Sequence, residues 1–175
     1  VAPRNLKEFE ALIRRRTVAV LDALPENEPF DWVTLVSRDL TTKMLATLFD
    51  YPWDERNDLT EWSDMFTNDE RITAGEGLKR EVIIEHITAC LQRFTELWHE
   101  RKGDGQEAFD LIRMLQADPN TANMVDDPLT YMGNIMLLIV GGNDTTRNSM
   151  SGGVVFLNQF PQEMEKVRAN PDLIP

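Results

Sequence analysis

Two adjacent side chains, Asp144 and Thr145, follow a pair of glycines in the run Gly141-Gly142-Asn143-Asp144-Thr145-Thr146. A carboxylate next to a hydroxyl is a pair that can store a proton and hand it on. Thr145 lies four residues after Gly141, so in a helix its hydroxyl can bond back to the Gly141 carbonyl and bend or widen the backbone there. Glycine at both 141 and 142 leaves that backbone bare, which lets something flat approach it closely. Acid, alcohol and bare backbone together are the parts of a proton relay beside a bound ligand.

Other groupings carry weaker chemistry. Glu96-Leu97-Trp98-His99 has the Glu-x-x-His spacing of a carboxylate-bridged di-iron site, but such a site takes two copies. The only other histidine, His86, has Ile83 three residues before it, so His99 reads as a satisfied helix-end histidine beside surface acids. Cys90, the single cysteine, falls on an apolar helical stripe and reads as a small buried hydrophobe. Glu165-x-x-Arg168 reads as an exposed helical ion pair worth a few tenths of a kcal/mol. There is no phosphate-binding Gly-Lys-Ser/Thr and no Ser-His-Asp signature, and no metal ligand is expected within the chain.

The relay works only on an unbroken helix. Paired glycines followed by Asn-Asp could instead end one helix and cap the next. The apolar phase favours continuity: at about 100° per residue, Met132, Ile135, Ile139, Met150 and Leu157 share one face, and that phase runs through the glycines. Asp127-Pro128 is a helix start, a capping side chain followed by proline at the first helical position. The expectation is one helix from Pro128 to about Asn158, at a cost of roughly 0.8–1.0 kcal/mol per glycine relative to alanine.

The elements before it are also helical. Residues 5–24 form an amphipathic helix ended by Pro25 and Pro29. Asp31 can cap a second helix with a stripe of Trp32, Leu35, Val36, Leu40, Met44 and Leu48. A break around Pro52 leads to a shorter helix over 59–66. Residues 67–77 read as a polar loop, either plain solvent loop or part of a substrate entrance. A long helix over 78–101 buries Val82, Ile83, Ile87, Cys90, Leu91, Phe94 and Trp98 until Gly103 and Gly105 stop it, and a short helix covers 109–115. No stretch alternates as a strand would, so the class is all-α.

Charge narrows the function classes. Thirty Asp and Glu against 18 Lys and Arg leave a net charge of −12, which repels nucleic acid and anionic membrane surfaces. The densest apolar run, 135–140, is far short of the ~20 residues a bilayer requires, so no membrane span is expected. One thiol makes no internal disulfide, and no secretory signal is visible. A reducing, cytoplasmic setting follows. The start at Val1-Ala2-Pro3 and the closing turn at Pro175 suggest one partial domain over 1–175, cut at both ends.

The motif with its flanks resembles the long helix that crosses the distal haem face in the cytochrome P-450 superfamily. There the pattern is small residue, glycine, any residue, acid, threonine. The resemblance covers nearly the whole chain, and Phe160-Pro161 onward looks like the short helix that follows. The wording Gly-Gly-Asn-Asp-Thr-Thr-Arg-Asn-Ser, with Trp53 and Trp62 in their contexts, is close to the bacterial medium-chain alkane hydroxylase branch.

That resemblance implies haem as cofactor, with Thr145 helping to protonate the dioxygen that haem activates and Asp144 feeding the relay. Gly141 and Gly142 would leave room over the iron, and Leu137, Val140 and Gly141 would face a small hydrophobic substrate. It implies O2 and NAD(P)H-derived electrons delivered by a ferredoxin and a ferredoxin reductase. The family's haem-ligand cysteine loop and its own Glu-x-x-Arg should lie beyond Pro175, and part of the propionate grip before Val1. The segment alone is therefore expected to be inactive. The competing reading is a helical ligand-sensing or interaction domain without cofactor, which leaves the glycines beside acid and threonine unexplained.

Overall fold

A computed structural model describes residues 3–67, 80–103 and 110–174. Among these residues every regular element is helical and no strand is present, as the sequence pattern predicts. Helix α1 runs Pro3–Asp22, with Pro25 and Pro29 just beyond it. Asp31 caps the next segment, its Oδ1 accepting from the Thr34 amide at 3.1 Å and its Oδ2 from the Thr34 hydroxyl at 2.8 Å.

What Asp31 caps is not a plain α-helix. Val33–Arg38 is a π-helix that feeds α2, Asp39–Leu48. A π-helical bond spans five residues instead of four, so the inward face shifts. Leu35, expected in the core, is 40% exposed, while Val36, Ser37, Leu40, Thr41, Leu45 and Ala46 are buried. The stripe counted at three-and-four spacing is therefore corrected: Trp32, Met44 and Leu48 are only partly covered.

A 3-10 turn at Trp53–Glu55 leads to α3, Asn57–Thr67. Helix α4 spans Arg80–Arg101 and ends in Gly103 at a positive φ of 81°, where glycine is unstrained. Thr67, expected to open the loop over 67–77, instead closes α3; the rest of that loop, the expected start of α4 at Leu78, Gly105 and Phe109 lie outside the described residues. Helix α5, Leu111–Ala117, is capped by Asp110, whose side chain accepts from the Arg113 amide at 3.0 Å. Asp110 is fully buried, and its charge is met by Arg101 and Arg113.

The long helix α6 is continuous from Pro128 to Gln159, 32 residues or about 48 Å. Asp127 caps it by accepting from the amides of Leu129 and Thr130. A second proline opens α7, Pro161–Ala169.

One core holds these helices together. Phe49 and Leu45, Leu59 and Trp62, Cys90, Phe94 and Trp98, Ile112, and Tyr131, Ile135 and Ile139 of α6 form a single buried cluster. Phe49 meets Phe94 edge-on at 5.0 Å, and Trp98 meets Tyr131 edge-on at 5.3 Å. The Tyr131 hydroxyl donates to the Phe94 carbonyl at 2.8 Å, so its polar tip is satisfied where its ring is buried. That packing fixes which side of α6 points inward.

Candidate functional site on the long helix

The predicted apolar phase holds through the glycines. Met132, Ile135 and Ile139 are buried, and Met150 and Leu157 on the same side are partly covered. The opposite side is open. Leu137 is 71% exposed, and Gly141 and Thr145, four and eight residues on, lie on the same line of the helix. Val140 sits at the edge of this face, half-buried.

The two glycines differ. A Cβ built at Gly141 would meet nothing within 4 Å, whereas one at Gly142 would lie 3.1 Å from Leu45 Cδ1 on α2. Gly141 thus keeps the open face low, and Gly142 also lets two helices approach. The Thr145 hydroxyl donates to the Gly141 carbonyl at 2.7 Å, the back-bond its spacing predicts. Beside Gly142, fully buried Asn143 accepts a 2.7 Å hydrogen bond from the Thr41 hydroxyl. Two turns further on, Ser151 donates to Ser37 at 2.9 Å. A polar seam therefore ties the inner side of α6 to the π segment and α2.

The Asp144 carboxylate hydrogen-bonds elsewhere than to the Thr145 hydroxyl. Asp144 Oδ1 is paired with Arg147 Nη2, and Oδ2 accepts from Asn148 Nδ2 at 3.1 Å. Arg147 Nη1 reaches Asp64 Oδ1 on α3 at 2.7 Å, and Arg38 Nη2 lies 2.8 Å from Asp64 Oδ2. Burial alone would weaken Arg147's hold on its proton. Hydrogen bonds and charge from Asp64 and Asp144 more than offset it and raise its pKa above the usual arginine value.

The pairing of Asp144 with Arg147 and Asn148 follows from three- and four-residue spacing and was readable locally. Its extension to Asp64 and Arg38, and the burial of Asn143 against Thr41, carry no local signal.

The alternative sites stay apart from this face. His99 and Glu96 are exposed, Glu96 being held by Gln92 and Arg93. Among the described residues no three His, Cys, Asp or Glu side chains gather as a metal site. Cys90 is fully buried, and desolvation pushes its thiol up to about 12. Glu165 and Arg168 form the expected exposed pair at 2.9 Å. Among the described residues no helix is long and apolar enough to cross a membrane.

No family model matches the chain. It is similar along 99% of its length to linalool 8-monooxygenase of Pseudomonas putida, at 28% identity. Two solved structures are nearer in sequence. Cytochrome P450-153 from Novosphingobium aromaticivorans is 44% identical with a TM-score of 0.81, matching 99% of this chain and 40% of that one. CYP153D17 from Sphingomonas sp. is 37% identical with a TM-score of 0.77, matching 99% of this chain and 42% of that one. The chain spans 42% of the length of the Pseudomonas relative. Its helices match the helical portion of the cytochrome P450 fold.

The open face suits the flat cofactor of that superfamily. Exposed Gly141 has space where its Cβ would stand, and Leu137 and Thr145 flank it on the same line. The backbone at Gly141 is therefore open to the approach of a flat ligand.

Proposed function

We propose that this chain, whose sequence and helices are similar to the cytochrome P450 superfamily, is the distal part of a haem-thiolate monooxygenase, residues 1–175 forming one portion of a larger catalytic domain. The observation that carries the reading is the Gly141–Thr145 pair on the open face of an unbroken α6. A ligand-sensing domain would have no use for that bare, hydroxyl-bearing strip.

When bound, haem supplies the redox chemistry that activates O2 and inserts one oxygen atom into a C–H bond. The chain's own residues do the rest. Gly141 keeps the backbone low enough for a small molecule to sit over it. Leu137, one turn earlier, and Val140, the residue before Gly141, present an apolar wall that orients a hydrocarbon and excludes water. Thr145 holds a proton at Oγ1, parked on the Gly141 carbonyl and released by rotation about its Cα–Cβ bond. Asp144, next in the chain and held by Arg147 and Asn148, replenishes that proton through water from the solvent side, its side chain being about a quarter exposed.

The substrate we propose is a medium-chain alkane or similar aliphatic molecule, hydroxylated at its terminal carbon. The apolar wall and the motif wording with Trp53 and Trp62 support it, and a relative named for oxidising linalool at carbon 8 is in keeping. Electrons would come from NAD(P)H through a ferredoxin reductase and a ferredoxin, in the cytoplasm. The test is to incubate the full-length protein with ferredoxin, reductase, NAD(P)H and n-octane. Primary alcohol is the expected product. Secondary alcohols, or no oxidised octane beside turnover of a bulkier substrate, overturn the terminal-alkane reading.

A further inference from the structure

We infer that Arg147 is the positioning residue for the Asp144 carboxylate and that Asp64, on a different helix, anchors it. The inference rests on the proton-delivery role proposed for Asp144. It concerns what aims that side chain.

The four charged groups form a chain of alternating sign. Arg38 from the π segment, Asp64 from α3, and Arg147 and Asp144 from α6 follow one another, and Asn148 closes the far end. Each of the four carboxylate oxygens has one of these donors. Arg147 uses separate nitrogens for the two acids, Nη1 for Asp64 and Nη2 for Asp144. A guanidinium is planar and rigid, so occupying both nitrogens fixes the direction between the two carboxylates.

An exposed pair three residues apart on one helix would be weak and mobile. Here the Arg147 side chain is only 12% exposed and its second hand is held from another helix. The Asp144 carboxylate consequently cannot swing without breaking a bond to Arg147 or Asn148. Its orientation is set by where α3 lies against α6. The acid of the relay is thus registered to a helix that has no part in the open face. Asp64 itself is held in place from its other side by Arg38, which the π segment delivers.

The test uses the full-length, haem-loaded protein. Arg147→Ala and Asp64→Asn should each lower product formed per NAD(P)H consumed by roughly five- to tenfold, with the balance appearing as peroxide. The substrate Kd, read from the substrate-induced Soret shift, should stay within about twofold, since neither residue touches the apolar wall. Arg147→Lys keeps the charge but not the fork, and should recover less than half of the lost coupling. Crystal structures of the variants give a readout independent of turnover: the Asp144 carboxylate should leave the Asn148 amide. Should Arg147→Ala fail to fold, the near-isosteric Asp64→Asn carries the test. Unchanged coupling in Asp64→Asn, or Asp144 unmoved in its crystal structure, overturns the inference. An unmutated parent without a thiolate-haem spectrum is a different result, overturning the functional reading itself.

Discussion

The Thr145 hydroxyl donates to the Gly141 carbonyl one turn back along α6, at 2.7 Å, on the side of the helix that the core leaves uncovered. A hydroxyl so placed keeps one proton ready in a fixed position. It also takes up a carbonyl lone pair that would otherwise point along the helix. The pairing makes an exposed stretch of backbone chemically useful without unwinding it.

On the proposed reading, replacing Thr145 by alanine in the full-length protein removes the proton store and leaves the helix intact. NAD(P)H consumption should continue while product per reductant falls roughly 10–100-fold, at or below the lower end of what a positioned proton donor contributes. Peroxide should rise in proportion. Parallel assays of reductant, alcohol and peroxide check this, and unchanged coupling would remove Thr145 from the relay.

The two glycines should respond differently to alanine. At Gly141 the added methyl group meets nothing within 4 Å. Apo protein should therefore gain up to about 0.5–1 kcal/mol from helix propensity. On the proposed reading, haem-loaded protein should lose turnover, because the methyl group would stand in the strip that faces the cofactor. At Gly142 the methyl group lands 3.1 Å from Leu45 Cδ1, and small crowding of that kind offsets the propensity gain. Denaturant melts of both apo variants, beside turnover of both holo variants, separate the two roles.

The buried Thr41–Asn143 bond makes a prediction about seam stability. Thr41→Val leaves a fully buried amide with no partner, since Asn143 Nδ2 has none already. An abandoned buried polar group costs about 1–3 kcal/mol. Combining Thr41→Val with Asn143→Ala should cost less than the sum of the single changes, with a coupling of about 1 kcal/mol. Strict additivity in a double-mutant cycle would show that the bond contributes nothing.

Cys90 links stability to alkaline pH. Its thiol is pushed up to about 12 by burial, whereas an unfolded cysteine titrates near ~8.5. Between these values the unfolded chain has released the proton and the folded one retains it. This contribution to stability therefore falls as pH rises, by at most about 1.4 kcal/mol per unit. Below about pH 8 the effect vanishes. Tyr51 and Tyr131, also raised by burial, add the same sign at higher pH. The difference between the parent and Cys90→Ala in melts from pH 7 to 10 isolates the thiol, and a flat difference would contradict its burial.

Much of the long helix was legible from sequence because its information is local. Asp127-Pro128 fixed the start, and the apolar residues kept phase across the glycines, so continuity needed no knowledge of neighbours. The same arithmetic failed at residues 33–38, where the bonds span five residues and the segment packs on α6. Counting at α-helical spacing placed Leu35 inside and missed Ser37 and Thr41, polar residues buried beside their α6 partners Ser151 and Asn143. The Asp144 surroundings divide the same way. Arg147 and Asn148 lie one turn away and could be read along the helix. Asp64, 83 positions from Arg147 in sequence, is one acid among 30 and nothing local selects it.

The reduced carbon-monoxide difference spectrum of the full-length protein tests most directly whether this chain forms the distal half of a haem-thiolate site. The expected result is the Soret band of thiolate-ligated haem, at one haem per chain. Protein that folds and binds no haem, or binds haem without that band, would contradict it.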